Sequence, residues 1–376
     1  MNNQHARNEN GVFTEDSRFE TLTDCPLCGG TDHKEFCAHS HDPYLRKFDP
    51  SLAETKVLWW VCSECSFLFQ NPRLREEPMD DFYANGYRAK APPDNIVKGK
   101  FIDSSFVVDF IKANWTPKDN RGKCLDIGSG EGCLAKTLAS VHAAGGPKWD
   151  AYAVEPNSIY ASYSREKMLV QTATEKFSER IWAGLDFRLI TASHVIEHMH
   201  DFKVFLGTIK KRLRPEGALY IGTPAADLPW GESWGRPTDT VFETFGATHL
   251  QLFTSRTLVR ALNDCGFWVD SLDHYIRGTL CLARHAKEGE RNELAGKDDP
   301  KLLIENVQRG HEMWRQYISD PKRRHPFVQQ AESSPSGSAA TRPEVVAIPA
   351  PVEHGGEGNG KVEVPSLLPA SFGHRA

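Results

Sequence analysis

Short apolar runs closed by turn-forming residues recur along the chain and read as strands. They fall at 56–61, 66–70 (ended by Asn71 and Pro72), 123–127, 149–155, 168–173, 186–193, 218–224, 267–272 and 279–283. Between them, apolar positions recur with helical spacing at 76–84, at 101–113 (Phe106, Phe110), and just after residue 132 (Ala135, Leu138, Ala139). Another such stretch, 202–213, sets Phe205, Ile209 and Leu213 on one face and a basic Lys210-Lys211-Arg212 near its end. A further helix is expected to start at Thr254 or Ser255 and to stop at Gly266. The pattern predicts turns or loops at 90–99 (rich in Pro and Gly), 214–217 and 225–248, the last long enough to act as a substrate lid. One more amphipathic helix is expected over 299–319, followed by a Pro-, Ser- and Gly-rich tail without periodicity.

Composition narrows the class. The chain has 376 residues and a formal net charge of −5, so no basic field advertises nucleic acid. No apolar run approaches the ~18 residues of a membrane span, and the polar start MNNQHARNEN is no signal peptide. A cytoplasmic protein is expected. Its divisions are expected at 1–20 (disordered lead), 21–72 (metal-binding unit), 73–115 (helical lid and linker), 116–286 (main domain), 287–320 (helical extension) and 321–376 (disordered tail). Whether the tail has a protein partner stays open.

The nine cysteines are an odd count, and four of them form two C-x-x-C pairs, Cys25/Cys28 and Cys62/Cys65, which suits metal ligation better than a disulfide framework. Such pairs supply the four soft ligands of a structural zinc tetrahedron and leave no open position for catalysis. Gly29 suits the turn that wraps the first pair. His33, Cys37, His39 and His41 are alternative ligands, read here as loop residues because the two pairs suffice.

The central stretch is Lys123-Cys124-Leu125-Asp126-Ile127-Gly128-Ser129-Gly130-Glu131-Gly132-Cys133, a strand running into alternating glycines and then a helix. Glycine lets a ligand approach the backbone, and the helix start offers unpaired N–H groups. A dinucleotide fingerprint would need glycine where Cys133 stands, and Asp126 suits a cationic ligand better than a pyrophosphate. Glu155, at the tip of the next strand, can accept both hydroxyls of a ribose. His194, Glu197 and His198 follow the strand at 186–193, with the spacing that puts side chains on one side of a helical turn.

These motifs resemble the class I methyltransferases that use S-adenosylmethionine (SAM), in the group with an N-terminal zinc ribbon. The match runs through the cysteine pairs, Asn71-Pro72-Arg73, Phe82-Tyr83-Ala84-Asn85-Gly86-Tyr87, the glycine loop, Glu155 and the 194–198 segment, over roughly 25–285. Arg188 stands where such enzymes usually carry aspartate. The resemblance implies an α/β fold with a Rossmann-like, seven-stranded, mostly parallel sheet, with the ligand beyond the carboxyl ends of its strands. It implies cofactor contacts at Asp126, Gly128, Ser129, Gly130, Gly132, Glu155 and Ser193. Tyr83 and Tyr87 are either cofactor or substrate contacts or packing residues of their helix. Methyl transfer to a hydroxyl of a small molecule or glycan needs a base, and His198 or His194, oriented by Glu197, is the expected one, with His249 a further candidate. Related quinone-biosynthesis O-methyltransferases hold a divalent ion with a Glu-x-x-Glu-His arrangement here; His194 replaces the first acid, so a His/Glu/His metal site stays open. The competing reading is an inactive methyltransferase-like binding module whose ribbon contacts a partner; C-methylation of a sugar is disfavoured by the lack of a second folded C-terminal domain.

Overall fold

The computed structural model describes residues 16–39, 42–226, 245–275 and 278–293, with 298, 299, 301, 303 and 305. The lead up to residue 15, His41, 227–244 of the expected lid, most of the 299–319 helix and the tail lie outside the described residues.

The described elements begin with β1 (Phe19–Glu20), β2 (His33–His39), α1 (Pro43–Phe48), β3 (Val57–Cys62), β4 (Leu68–Gln70) and β5 (Arg73–Leu74). Then come α2 (Glu76–Asp81), continued by one widened turn at Phe82–Gly86, and α3 (Asp94–Asn114). The central part is β6 (Arg121–Ile127), α4 (Cys133–Ser140), β7 (Lys148–Val154), α5 (Ser158–Tyr163), β8 (Gln171–Ala173), β9 (Phe187–Ser193), α6 (Phe202–Arg212) and β10 (Leu213–Thr223). Last are β11 (Gln251–Leu252), α7 (Ser255–Asp264), β12 (Phe267–Tyr275) and β13 (Gly278–His285).

The large sheet has seven strands in the order β12-β13-β10-β9-β6-β7-β8. β10, β9, β6, β7 and β8 are parallel, and β13 runs antiparallel to both of its neighbours. This is the mixed, mostly parallel sheet of the class I methyltransferase fold. Its strands read as continuous apolar runs because both faces are covered. Alternate residues point to opposite sides. Cys124, Leu189, Ala218 and Tyr220 meet Val107, Val108 and Ile111 of α3 and Leu134 and Leu138 of α4. Their neighbours Leu125, Ile190, Leu219 and Ile221 meet Phe205 and Ile209 of α6 and Leu258 and Leu262 of α7. Burying each such side chain is worth about 1.5–3 kcal/mol.

A second sheet, ordered β11-β4-β3-β2, carries the cysteine unit. Its fourth strand arrives from far along the chain: Gln251 pairs with Phe69 and Leu252 with Leu68. Trp59 on β3 is fully buried and donates its indole N–H to the Phe245 carbonyl at 2.9 Å.

Several expectations are corrected. His33, Cys37 and His39 lie in β2, not in a loop; their polar sequence forms the edge strand of its sheet. Residues 94–99 belong to α3 rather than to a linker, with Pro93 at the N-cap, where its missing N–H costs nothing. Residues 214–217 lie within β10, where they form the bulge of its register shift against β9, rather than a turn between elements. Residues 16–20 are ordered and pair through β1 with β5. Of the two caps expected for α7, Thr254 is the one used, in a reciprocal box with Thr257. Arg188 lies at the start of β9, at the opposite end of the sheet from the glycine loop. There it is buried and pairs with Asp119 at 2.5 Å, away from any ligand chemistry.

Candidate functional site

The four cysteine sulfurs come together. Cys25 Sγ lies 3.6 Å from Cys65 Sγ, and Cys28 Sγ 3.6 Å from Cys62 Sγ, with all four within 4.8 Å of one another. A tetrahedron of thiolates at the Zn–S length has edges of about 3.8 Å. The two knuckles repeat one geometry. Gly29 N–H donates to the Cys25 carbonyl and Ser66 N–H to the Cys62 carbonyl; Cys25 N–H reaches Gly30 and Cys62 N–H reaches Phe67. Gly29 and Ser66 both take positive φ, 77° and 62°. By themselves the sulfurs do not ionise together: a hydrogen bond from Cys65 holds Cys25 down to about 5, while burial pushes Cys62 up to about 11. A dication resolves that conflict, so the donor set fits a closed structural zinc.

The glycine loop follows β6. Gly128, Gly130 and Gly132 all have positive φ. A Cβ on Gly128 would stand 2.7 Å from Val195 Cγ2, and one on Gly132 would stand 2.2 Å from Ser164 Oγ, so close packing as well as φ requires glycine there. Glu155, just beyond β7, accepts from Gly130 N–H (2.8 Å) and Asn157 N–H (2.9 Å). Both its oxygens keep a second lone pair for a ligand hydroxyl. Asp126 is 2% exposed, accepts from the Thr191 hydroxyl at 2.8 Å, and is pushed by burial up to about 7. Ser129 Oγ is buried with no hydrogen-bond partner among the described residues. A loop of close-approach glycines, an orphaned hydroxyl and two strand-tip carboxylates fits a nucleoside with a cationic side chain.

Asp126, Gly128, Ser129, Gly130 and Glu155 line one cavity of about 680 Å³, shared with Ser193, Tyr83, Tyr87, His194, His198 and His249; Gly132 does not line it. Its roof is the segment after α2. Asn157 ties that segment down, donating from Nδ2 to the carbonyls of Ala84 (3.1 Å) and Arg88 (3.0 Å). The Arg88 guanidinium lies 4.3 Å over the Tyr160 ring and 3.3 Å from Glu131. Arg88 and Asn157 carried no sequence signal beyond a basic residue after Tyr87 and a helix cap, because both act across distant segments.

The histidines meet, though not on a helical turn. His194 takes φ 56° and lies outside the short 3-10 turn Ile196–His198. Its Nδ1 is 3.3 Å from Glu197 Oε1. Glu197 is 0% exposed, and the Thr223 hydroxyl donates to its Oε2 at 3.1 Å. Burial works to raise its pKa, but the His194 contact and the charges of His198, His194 and His249 outweigh burial and hold it at about 2. His198 Nδ1 lies 2.7 Å from the Thr248 carbonyl and 2.7 Å from the Tyr83 hydroxyl. A carbonyl only accepts, so Nδ1 carries the proton and Nε2 of the neutral ring keeps its lone pair. Burial lowers the His198 pKa and favours that neutral form. The His249 ring lies 4.7 Å from that of His198, and Glu197, His198 and His249 form a second group of potential metal donors. Tyr83 therefore contacts a histidine as well as lining the cavity.

A family model described as a methyltransferase domain matches residues 101–272. The chain is 30% identical over 115 residues to a ubiquinone biosynthesis O-methyltransferase of Bartonella bacilliformis, covering 30% of this chain and 44% of that protein. It is 28% identical over 120 residues to the Bartonella tribocorum protein of the same description, covering 32% and 46%. The match thus spans less than half the length of these relatives. Among solved structures, the sugar N-methyltransferase KedS8 from Streptoalloteichus is similar at TM-score 0.39 and 14% identity, over 54% of this chain and 96% of that one. The family match falls on the segment that holds the glycine loop, Glu155 and the 194–198 turn, and the chain carries a methyltransferase domain over residues 101–272.

Proposed function

We propose that this protein transfers a methyl group from SAM to a hydroxyl of a small molecule or glycan, with His198 as the general base. The observation that carries the reading is the shared cavity: the glycine loop and Glu155 open on the same space as the His198 ring. When bound, SAM would supply an electrophilic methyl group from its sulfonium and would leave as the neutral thioether. The protein supplies the rest. Glu155 and the Ser129 hydroxyl would hold the nucleoside over the glycine loop, Asp126 would face the cationic end, and the cavity walls would exclude water. His198 Nε2 takes the acceptor proton, and the Thr248 carbonyl, which fixes the tautomer, stabilises the imidazolium that results. Glu197, ionised and buried, adds its charge to that stabilisation. The four cysteines would hold one structural zinc per chain. Such a thiolate site suits a reducing compartment, the cytoplasm.

A second reading is favoured by one observation: Glu197 Oε1 accepts no well-aligned hydrogen bond, and His198 and His249 stand beside it. A divalent ion there would bind the acceptor oxygen directly. Calorimetric titration of SAM, expected to give a micromolar Kd, and a screen of sugar nucleotides, glycans and phenolic scaffolds with methyl-labelled SAM test the first reading. Absence of SAM binding at high micromolar concentration ends it. Loss of transfer with EDTA and its return with magnesium selects the metal over the base.

A further inference from the structure

Two buried glutamines lie on neighbouring strands, β4 and β11, where the cysteine unit meets the methyltransferase domain, and each uses its amide on one half of the histidine site. Gln70 closes β4 and is 2% exposed. Its Nε2 donates to the Gly246 carbonyl at 2.8 Å and to the His249 carbonyl, and its backbone N–H donates to the Leu250 carbonyl at 2.9 Å. It thereby grips the turn that presents the Thr248 carbonyl and the His249 ring. Gln251 lies on β11, opposite Phe69, and is 0% exposed. Its Nε2 donates to the carbonyls of Ile196 and Met199, both at 2.8 Å, which bracket Glu197 and His198. Leu250 N–H adds a bond to the Glu197 carbonyl at 2.8 Å.

We propose that Gln70 and Gln251 are positioning residues that hold His249 and His198 in register from the cysteine-bearing sheet. A buried amide is costly unless its hydrogens are bonded, and a methionine fills similar space without that demand. Both hydrogens of each amide go to carbonyls of the two turns that build the site. The hairpin that carries Gln70 turns at the second cysteine pair: β3 ends at Cys62, and β4 begins three residues after Cys65. The cysteine unit is thus the base plate of the acid–base site, which accounts for its being folded into the same core rather than hung from the chain.

The inference rests on the assignment of His198 as base, and one experiment separates the two. The full-length protein, isolated with its metal and labelled with ¹⁵N-histidine, is examined as wild type, Gln70→Met and Gln251→Met. Ring tautomers are read by NMR, SAM affinity by calorimetry and folding by thermal melting. Wild-type His198 is expected as a single Nδ1–H tautomer; any other state removes the base assignment and this inference with it. In Gln251→Met, His198 becomes a tautomer mixture. In Gln70→Met, the His249 signals move and the Nδ1–H bond to Thr248 loosens. SAM affinity stays within about twofold in both, since the glycine loop is untouched, while kcat on an active acceptor falls roughly 10- to 100-fold with a smaller change in KM. If both variants fold and keep the wild-type His198 and His249 signals, the proposal is overturned. Should a Met variant not fold, Gln70→Asn, which keeps the amide on a shorter arm, is read the same way: wild-type signals overturn the proposal, and displaced His249 signals support it.

Discussion

The two donor clusters of this protein lie in one continuous fold yet are built by opposite rules. The cysteine cluster comes from two short segments, each folding on itself through the same pair of backbone bonds, and its four ligands are chemically alike. The histidine cluster draws on three segments, with Tyr83, the 194–198 stretch and Thr248–His249 joined only by tertiary packing. Its donors are unlike, and part of their capacity is already spent: His198 Nδ1 on a carbonyl, and Glu197 Oε2 on Thr223. A closed set of identical soft ligands suits a metal that holds structure. A mixed set opening on a cavity suits proton transfer, where one lone pair must remain free.

The comparison breaks most visibly at the cysteines. If the cluster is structural, Cys62→Ser removes metal binding that contributes on the order of 10 kcal/mol to folding, and the cooperative unfolding of the N-terminal sheet is lost from the melting curve. Cys265→Ser, at a half-buried thiol outside the cluster, changes the melting temperature by no more than a few degrees. Elemental analysis should find about one zinc per chain in wild type and none in Cys62→Ser. Equal stability of the two variants would make the cluster four ordinary buried thiols.

At the histidine cluster the expected loss is kinetic. His198→Ala should lower kcat by roughly 10²–10⁴-fold with SAM affinity unchanged, because the ring bonds to Thr248 and Tyr83 rather than to the glycine loop. His194→Ala should cost less, since it removes one contact to Glu197 and leaves the His198 ring and its bond to Thr248 in place. Full activity in His198→Ala moves the base elsewhere.

The same contrast explains what could be read from sequence. The cysteine pairs were legible because spacing within a few residues carries their geometry. The strands of the large sheet were legible because two covered faces leave continuous apolar runs. β2 was not, since a half-exposed edge strand of sequence His-Lys-Glu-Phe-Cys-Ala-His has no apolar alternation to show. The start of α3 was hidden by Pro93 and Gly99, which mark a linker by composition although proline is well tolerated at a helix start. His249 could be named as a candidate from its place after the long loop. That it would meet His198 and be held by Gln70 could not be read, because pairing of β11 with β4 is a long-range event that no local pattern records.

A smaller effect sharpens the cofactor half of the cavity. Asp126 has its folded pKa raised by burial to about 7, above the ordinary carboxylate value. Its contribution to stability is therefore full below the unfolded pKa, about 4, and is lost as pH rises through 7. A cationic ligand reverses the preference by stabilising the carboxylate. SAM affinity should then rise with pH, by up to about tenfold per unit between pH 5 and 7, and level off above. Calorimetry across that range should show the slope in wild type and a flat, weaker profile in Asp126→Asn. A flat wild-type profile would mean that Asp126 does not face the ligand's charge.

The smallest effect tests whether the two knuckles are truly one motif. Gly29 has φ 77° and nothing within 4 Å of where a Cβ would stand, while Ser66, its counterpart, already carries a side chain at φ 62°. Gly29→Ala therefore meets only the backbone cost of a left-handed alanine, about 1–2 kcal/mol, and no steric clash. The protein should keep its zinc and melt a few degrees lower. Gly132→Ala has the same backbone cost but also drives a methyl to 2.2 Å from Ser164 Oγ beside the glycine loop, so it should lose more stability and weaken SAM binding as well. If Gly29→Ala instead loses its zinc, the first knuckle needs glycine for a reason that its twin does not share, and the symmetry between the two pairs ends at their sulfur positions.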